Sequence, residues 1–134
     1  MKVVLDTNVL ISAFLTDGVC ARILRRARNG EFTFVLCSPV LEELLRILRE
    51  KFGFDDSEVS LFASIVSEAA REIRQPEKSV SGICRDADDE AILACAAEAE
   101  ADYLVTGDDD LLTFRSYEKA KIITPRAFEI LFND

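Results

Sequence analysis

Short apolar runs alternate with longer stretches of helical periodicity along the whole chain. Val3-Val4-Leu5 is β-branched, apolar and too short for a helix, which predicts a buried strand. Residues 12–29 read as mostly helical, with Gly30 as the stop. Residues 32–37 predict a second strand. Ser38-Pro39 then opens a helix, with Ser38 as N-cap and Pro39 in the first turn. That helix reaches about Lys51 and ends before Gly53. Asp55-Asp56-Ser57 caps another helix that runs to about Arg71. Ile73 fits a short strand, and residues 75–82 form a polar connection holding Pro76 and Gly82. Residues 86–100 are an Ala-rich helix and residues 103–106 a strand. Gly107 turns the chain, and residues 108–112 begin another element. Residues 121–123 predict a short strand, and Pro125 opens a last helix to about Phe132. Strands alternating with helices predict an α/β fold, a mostly parallel sheet with helices on both faces. The 75–82 connection is too short to separate domains, so one domain over residues 1–134 is expected.

Composition narrows the chemistry. At 49% apolar residues, 134 residues can fill a core. No apolar run approaches bilayer-spanning length, and Asp6 interrupts any signal-type segment at the start, so a cytoplasmic protein without membrane contact is expected. Cys20, Cys37, Cys84 and Cys95 form no close pair and no zinc spacing. All lie in or beside apolar stretches, which reads as small, reduced core residues rather than disulfides. The absence of histidine excludes Ser-His and Cys-His triads and every His-containing metal site. A net charge of −9 disfavours a protein that only coats nucleic acid, since phosphate neutralisation needs cations. It does not disfavour an acidic metal site that acts on nucleic acid, because bound cations neutralise the carboxylates.

Four groups of acids then stand out: Asp6, Glu42-Glu43, the Asp86/Asp88/Asp89 cluster, and Asp108-Asp109-Asp110. Asp6 and the Asp108 group follow strands directly, and the Glu pair follows another strand by a few residues. At about 100° per residue, Glu42 shares a polar face with Arg46 and Arg49, whereas Glu43 borders the arc of Leu44, Ile47 and Leu48. Asp89 lies on the apolar stripe of Ile92, Leu93 and Ala96, which makes it the inward-facing acid of its cluster. Taken singly, each group has an ordinary structural reading as a cap, a first-turn charge or an acidic turn. Together they repel, by about 4 kcal/mol for a pair 4 Å apart at an effective dielectric of 20. No basic residue adjoins Asp6 or Asp108 in sequence, and Arg85 is the nearest to Asp89. Divalent cations would relieve the repulsion, and oxygen ligands suit Mg²⁺ and Mn²⁺. Such a site can hydrolyse phosphodiesters without a histidine base.

Leu5-Asp6-Thr7-Asn8-Val9-Leu10, Ser38-Pro39-Val40-Leu41-Glu42-Glu43-Leu44, Asp86-Ala87-Asp88-Asp89 and Val105-Thr106-Gly107-Asp108-Asp109-Asp110-Leu111 together resemble the ordered motifs of PIN domains. The nearest resemblance is to stand-alone prokaryotic PIN proteins of the VapC toxin type. It implies a three-layer α/β/α Rossmann-like fold and a Mg²⁺- or Mn²⁺-dependent ribonuclease acting on RNA. It also implies a homodimer and an antitoxin partner. Position by position, Asp6, Glu43, Asp89 and Asp108 match the acidic quartet, and Asp110 a further, variable metal-binding acid. Thr7, Asn8, Ser38 and Thr106 match polar residues that orient the acids. The 75–82 connection and the long 55–71 helix depart from the minimal toxin pattern. Arg22, Arg25 and Arg26, followed by Arg28, share a helix face and are candidates for guiding RNA phosphates, with a solvated face as the alternative. A haloacid-dehalogenase phosphatase needs a second acid where Asn8 stands, and a receiver domain needs a lysine that the 106–108 turn does not offer. The remaining alternative is a catalytically silent PIN-fold binding or scaffold module.

Overall fold

A computed structural model describes residues 1–77 and 87–132, with backbone alone for residues 87 and 88. The expectations for Cys84 and Asp86, for the Asp88 side chain and for most of the 75–82 connection lie outside the described residues. The elements are β1 (Lys2–Leu5), α1 (Thr7–Leu15), α2 (Val19–Arg28), β2 (Thr33–Cys37), α3 (Ser38–Glu50), α4 (Asp56–Ala69) and β3 (Glu72–Arg74). They continue with α5 (Ala87–Glu98), β4 (Tyr103–Val105), α6 (Asp109–Leu112), β5 (Ser116–Tyr117), β6 (Ala120–Ile123) and α7 (Pro125–Ile130).

The strands form one sheet in the order β3-β2-β1-β4-β6-β5. Every neighbouring pair is parallel except β5 with β6. This is the mostly parallel α/β architecture that the alternating pattern predicts. Consecutive residues are buried in β1 (Val3, Val4, Leu5), in β2 (Phe34, Val35, Leu36) and in β4 (Leu104, Val105). Burial without alternation means both faces of the sheet are covered, as crossover helices require in a parallel sheet. The chain steps outward from β1 to β2 and β3, then returns to place β4 on the other side of β1. The strand order therefore reverses between β1 and β4, and the crevice at their carboxyl ends is where open α/β sheets bind ligands. The register pairs Leu5 with Val105, so Asp6 and Thr106 emerge side by side at that crevice.

Three local expectations are corrected, and one element is added. The helical stretch expected at 12–29 is two helices that meet at 101°. Asp6 starts α1 directly after β1, and the extended backbone at Thr16 and Gly18 separates it from α2. Gly30 and Gly53 do end α2 and α3, with φ of +75° and +67° that a side chain would strain. Ser38 is the first residue of α3 and not its N-cap; Cys37 holds that position, and no side chain caps the helix. The hairpin β5–β6 escaped the pattern because β5 has only two residues. Finally, Cys37 and Cys95 are joined by a disulfide, with Cα atoms 6.2 Å apart. One ends β2 and the other lies on the buried face of α5, and 58 residues of intervening sequence hide their proximity. Cys20 is free and half-buried, and burial pushes its thiol pKa up. Among the described residues, no single helix is long and apolar enough to cross a membrane.

Candidate metal centre

Asp6 leaves β1 with its N–H donating to the carbonyl of Val105 at 3.0 Å. Its backbone is extended, so it can cap α1, and Oδ1 accepts the N–H of Thr7 at 2.8 Å. The other carboxylate oxygen, Oδ2, accepts a 2.7 Å hydrogen bond from the hydroxyl of Thr106. Thr106 is fully buried at the end of β4, and its Oγ1 in turn accepts the backbone N–H of Asp108 at 3.0 Å. Asp108 caps α6, with Oδ1 accepting the N–H of Asp110 at 2.9 Å. A continuous chain of hydrogen bonds thus links Asp6, Thr106, Asp108 and Asp110 across two adjacent strand ends.

Asp89, in the first turns of α5, completes a cluster with Asp108 and Asp110. One carboxylate oxygen from each lies within 4.8 Å of the others. Asp89 and Asp108 are half-buried and Asp110 is exposed. At this spacing each like-charge pair costs about 1–3 kcal/mol, between the limits of water and an effective dielectric of 20. The donors are all carboxylate oxygens, with no nitrogen or sulfur among them. That set fits a hard divalent cation such as Mg²⁺ or Mn²⁺, which would relieve the repulsion.

Glu43 is half-buried on α3, whereas Glu42 is exposed, as helical periodicity requires. Both line a groove with Pro39 and Arg46. Glu43 is outside the three-carboxylate group but stands on the helix whose first residue follows the disulfide-bonded Cys37. Ser38 is half-buried at the start of the same helix, and Asn8 is exposed in the first turn of α1. The Thr7 hydroxyl is buried and has no hydrogen-bond partner among the described residues.

A sequence profile described as PIN domain matches residues 2–110, a span that includes Asp6, Glu43, Asp89, Asp108 and Asp110. The chain belongs to the PIN domain family. PIN domains are typically nucleases and generally bind divalent metal. This PIN domain is 29% identical to the uncharacterized protein MJ1680 of Methanocaldococcus jannaschii, over 96% of this chain and 89% of the relative. It shares its fold with a chain in the crystal structure of VapBC2 from Rickettsia felis bound to a DNA fragment from their promoter. That match has a TM-score of 0.65 at 17% identity and covers 91% of this chain and 98% of the other.

Arg22, Arg25 and Arg26 of α2 form ion pairs within the PIN domain. Arg26 donates from Nε and Nη2 to the two carboxylate oxygens of Glu129 on α7, each at 2.8 Å, and from Nη1 to Glu31 at 2.8 Å. Its guanidinium also lies 4.5 Å from the centre of the Phe132 ring. These bonds push the Arg26 pKa up and hold the Glu129 carboxyl below the ordinary carboxylate range. Arg22 shares Glu129 at 3.4 Å, and Arg25 reaches Asp17 at 3.5 Å. Arg26 therefore pins α2 to α7, a role that its sequence position did not disclose. Arg22, Arg25 and Arg28 stay exposed on the outer face of α2.

Proposed function

We propose that this PIN domain is a Mg²⁺- or Mn²⁺-dependent endoribonuclease that hydrolyses RNA phosphodiester bonds. The observation that carries the reading is the convergence of Asp89, Asp108 and Asp110 oxygens within 4.8 Å, in a chain with no histidine. Asp6, Glu43, Asp89 and Asp108, with Asp110, would hold the cation. The ion supplies charge neutralisation at the phosphodiester and lowers the pKa of bound water. The protein's own share is positioning. Thr106 fixes the carboxylate plane of Asp6 and the backbone of Asp108. Thr7 opens α1 directly after Asp6, and Ser38 opens α3, the helix that carries Glu43. The buried, unpartnered Thr7 hydroxyl is a donor already in place next to Asp6. Arg22 and Arg25 offer exposed guanidinium groups for RNA phosphates, whereas Arg26 is held by Glu129.

The fold shared with the VapBC2 chain supports a VapC-type role with an antitoxin as protein partner. A homodimer working in the cytoplasm is part of the same proposal and rests on the family resemblance alone. The test is cleavage of single-stranded RNA by purified protein with Mn²⁺, with and without chelator, beside Asp108→Asn. Cleavage that needs Mn²⁺ and disappears in the variant supports the reading. Cleavage that survives chelation or Asp108→Asn overturns it. Calorimetric titration without Mn²⁺ binding points instead to a silent PIN-fold scaffold.

A further inference from the structure

We infer that the Cys37–Cys95 disulfide is a positioning element of the acidic site, fixing α3, which carries Glu43, against α5, which carries Asp89. This inference rests on the metal-dependent reading above. Cys37 immediately precedes α3 and is its N-cap; Glu43 follows about two helical turns later. Cys95 lies on α5, about two turns after Asp89. The covalent link therefore ties the two helices that carry these acids, at equivalent distances from each. Both sulfur-bearing residues are buried, at 1% and 0% exposure, among Leu36, Leu44, Ile92 and Leu93 of the core.

Among the described residues, no other covalent tie joins the acid-bearing elements. Asp6 and Asp108 already share a hydrogen-bonded bridge through Thr106. Asp110 is tied to Asp108 by its own backbone N–H. The disulfide supplies the equivalent constraint on the side of the site carried by helices. Cations in carboxylate sites respond strongly to such supporting groups, because ligands held in place lose less freedom on binding.

The chemistry is thiol–disulfide exchange with a low-molecular-weight disulfide. One Cys thiolate attacks it, releasing one small thiol and forming a mixed disulfide. The second Cys thiolate then displaces the other small thiol, closing Cys37–Cys95. Two protein thiols are oxidised, one small disulfide is reduced to two thiols, and the two thiol protons end on the released thiolates. Linkage makes the coupling reciprocal: whatever factor the disulfide adds to metal affinity, the metal must add to the disulfide's equilibrium constant.

The test uses the full chain with Cys20→Ser and Cys84→Ser, so that only this pair titrates. Mn²⁺ affinity is measured by calorimetry in the disulfide and dithiol forms. The dithiol–disulfide equilibrium is measured in glutathione buffers with Mn²⁺ and with chelator. The expected result is Mn²⁺ affinity about tenfold weaker in the dithiol form, with a far-ultraviolet circular dichroism spectrum unchanged, and an equilibrium constant shifted by the same factor when Mn²⁺ is present. Equal affinities in the two forms overturn the inference and leave the metal site standing. An unchanged equilibrium constant overturns it likewise. A Cys37→Ala/Cys95→Val variant, which refills the space, guards against unfolding of the dithiol form. If both lose the fold, the disulfide is a general staple and the inference fails. No Mn²⁺ binding in either form overturns the metal-dependent reading itself.

Discussion

The hydroxyl of Thr106 donates to Asp6 Oδ2 at 2.7 Å across a sequence separation of 100 residues, and the same oxygen accepts the N–H of Asp108. One buried side chain thus sets the carboxylate orientation at the end of β1 and the backbone position at the end of β4. Thr106→Val keeps the shape and removes both bonds. It is expected to cost about 1.5–3 kcal/mol of stability, since one of the lost bonds is to a charged group. Mn²⁺ affinity should fall about tenfold with it. Thr106→Ser should restore both. Urea denaturation and calorimetric titration of the three proteins check this, and wild-type affinity in Thr106→Val would count against the bridge.

Asp6→Asn separates charge from hydrogen bonding. On charge alone, removing one acid from a chain of net charge −9 leaves apo stability equal or higher. The structure adds an opposing cost. Asp6 accepts from Thr7 with one oxygen and from Thr106 with the other, and an amide keeps only one oxygen. Losing one such acceptor costs about 1–3 kcal/mol, which offsets the relief of repulsion. The net change in apo stability is expected to be within about 1 kcal/mol of zero, by the same magnitudes. Mn²⁺-dependent RNA cleavage should be lost. Asp6→Ala gives up both acceptors and should be the less stable of the two variants, as seen in the denaturation midpoints.

The convergence of Asp89, Asp108 and Asp110 and the place of Asp6 at a strand end were legible from residue order alone, and the reason is periodicity. Strand ends are marked by the switch from apolar run to acid, which located Asp6 and Asp108. The helical period separated half-buried Glu43 from exposed Glu42. What stayed hidden depends on contacts between distant segments. The Cys37–Cys95 bond spans 58 residues, and Arg26 meets Glu129 across 103. Neither pair carries a local signal. The break between α1 and α2 was hidden differently, because Thr16-Asp17-Gly18 interrupts an otherwise unbroken helical pattern by only three residues.

Metal should act on the folded state through the carboxylates. At a Mn²⁺ concentration 100 times the dissociation constant, the protein should gain about 2.7 kcal/mol. Chelator should return the gain in full. Asp89→Asn removes one member of the 4.8 Å cluster and should shrink the gain by more than half. Thermal denaturation with and without Mn²⁺ measures it. An undiminished gain in Asp89→Asn places the ion elsewhere.

Acid should loosen the contact between α2 and α7. The Arg26 guanidinium beside Glu129, followed by Arg22, holds the Glu129 carboxyl below its ordinary range. A carboxyl whose pKa is lowered by folding binds protons more readily when unfolded. Its contribution is therefore complete above the unfolded value of about 4.3 and is lost as pH falls through the folded value. Glu129→Gln should cost about 1–3 kcal/mol at pH 7, because Glu129 is 13% exposed and its pair is largely shielded. The gap between wild type and variant should close as pH falls below about 4. Denaturation midpoints from pH 3 to 7 check it, and a gap that widens in acid contradicts the sign.

The position of β4 beside β1 has a consequence for synthesis of the chain. A ribosome releases Asp6 and Glu43 long before Asp89 and Asp108, and β1 gains β4 as a neighbour only when residues past 105 are out. Pairing of this kind carries a high contact order and forms late. A nascent or truncated chain ending before β4 therefore has Asp6, Glu43 and Asp89 but neither Asp108 nor Asp110, and no Thr106 to orient Asp6. The full set of candidate ligands exists only in a chain that has been extended past Asp110.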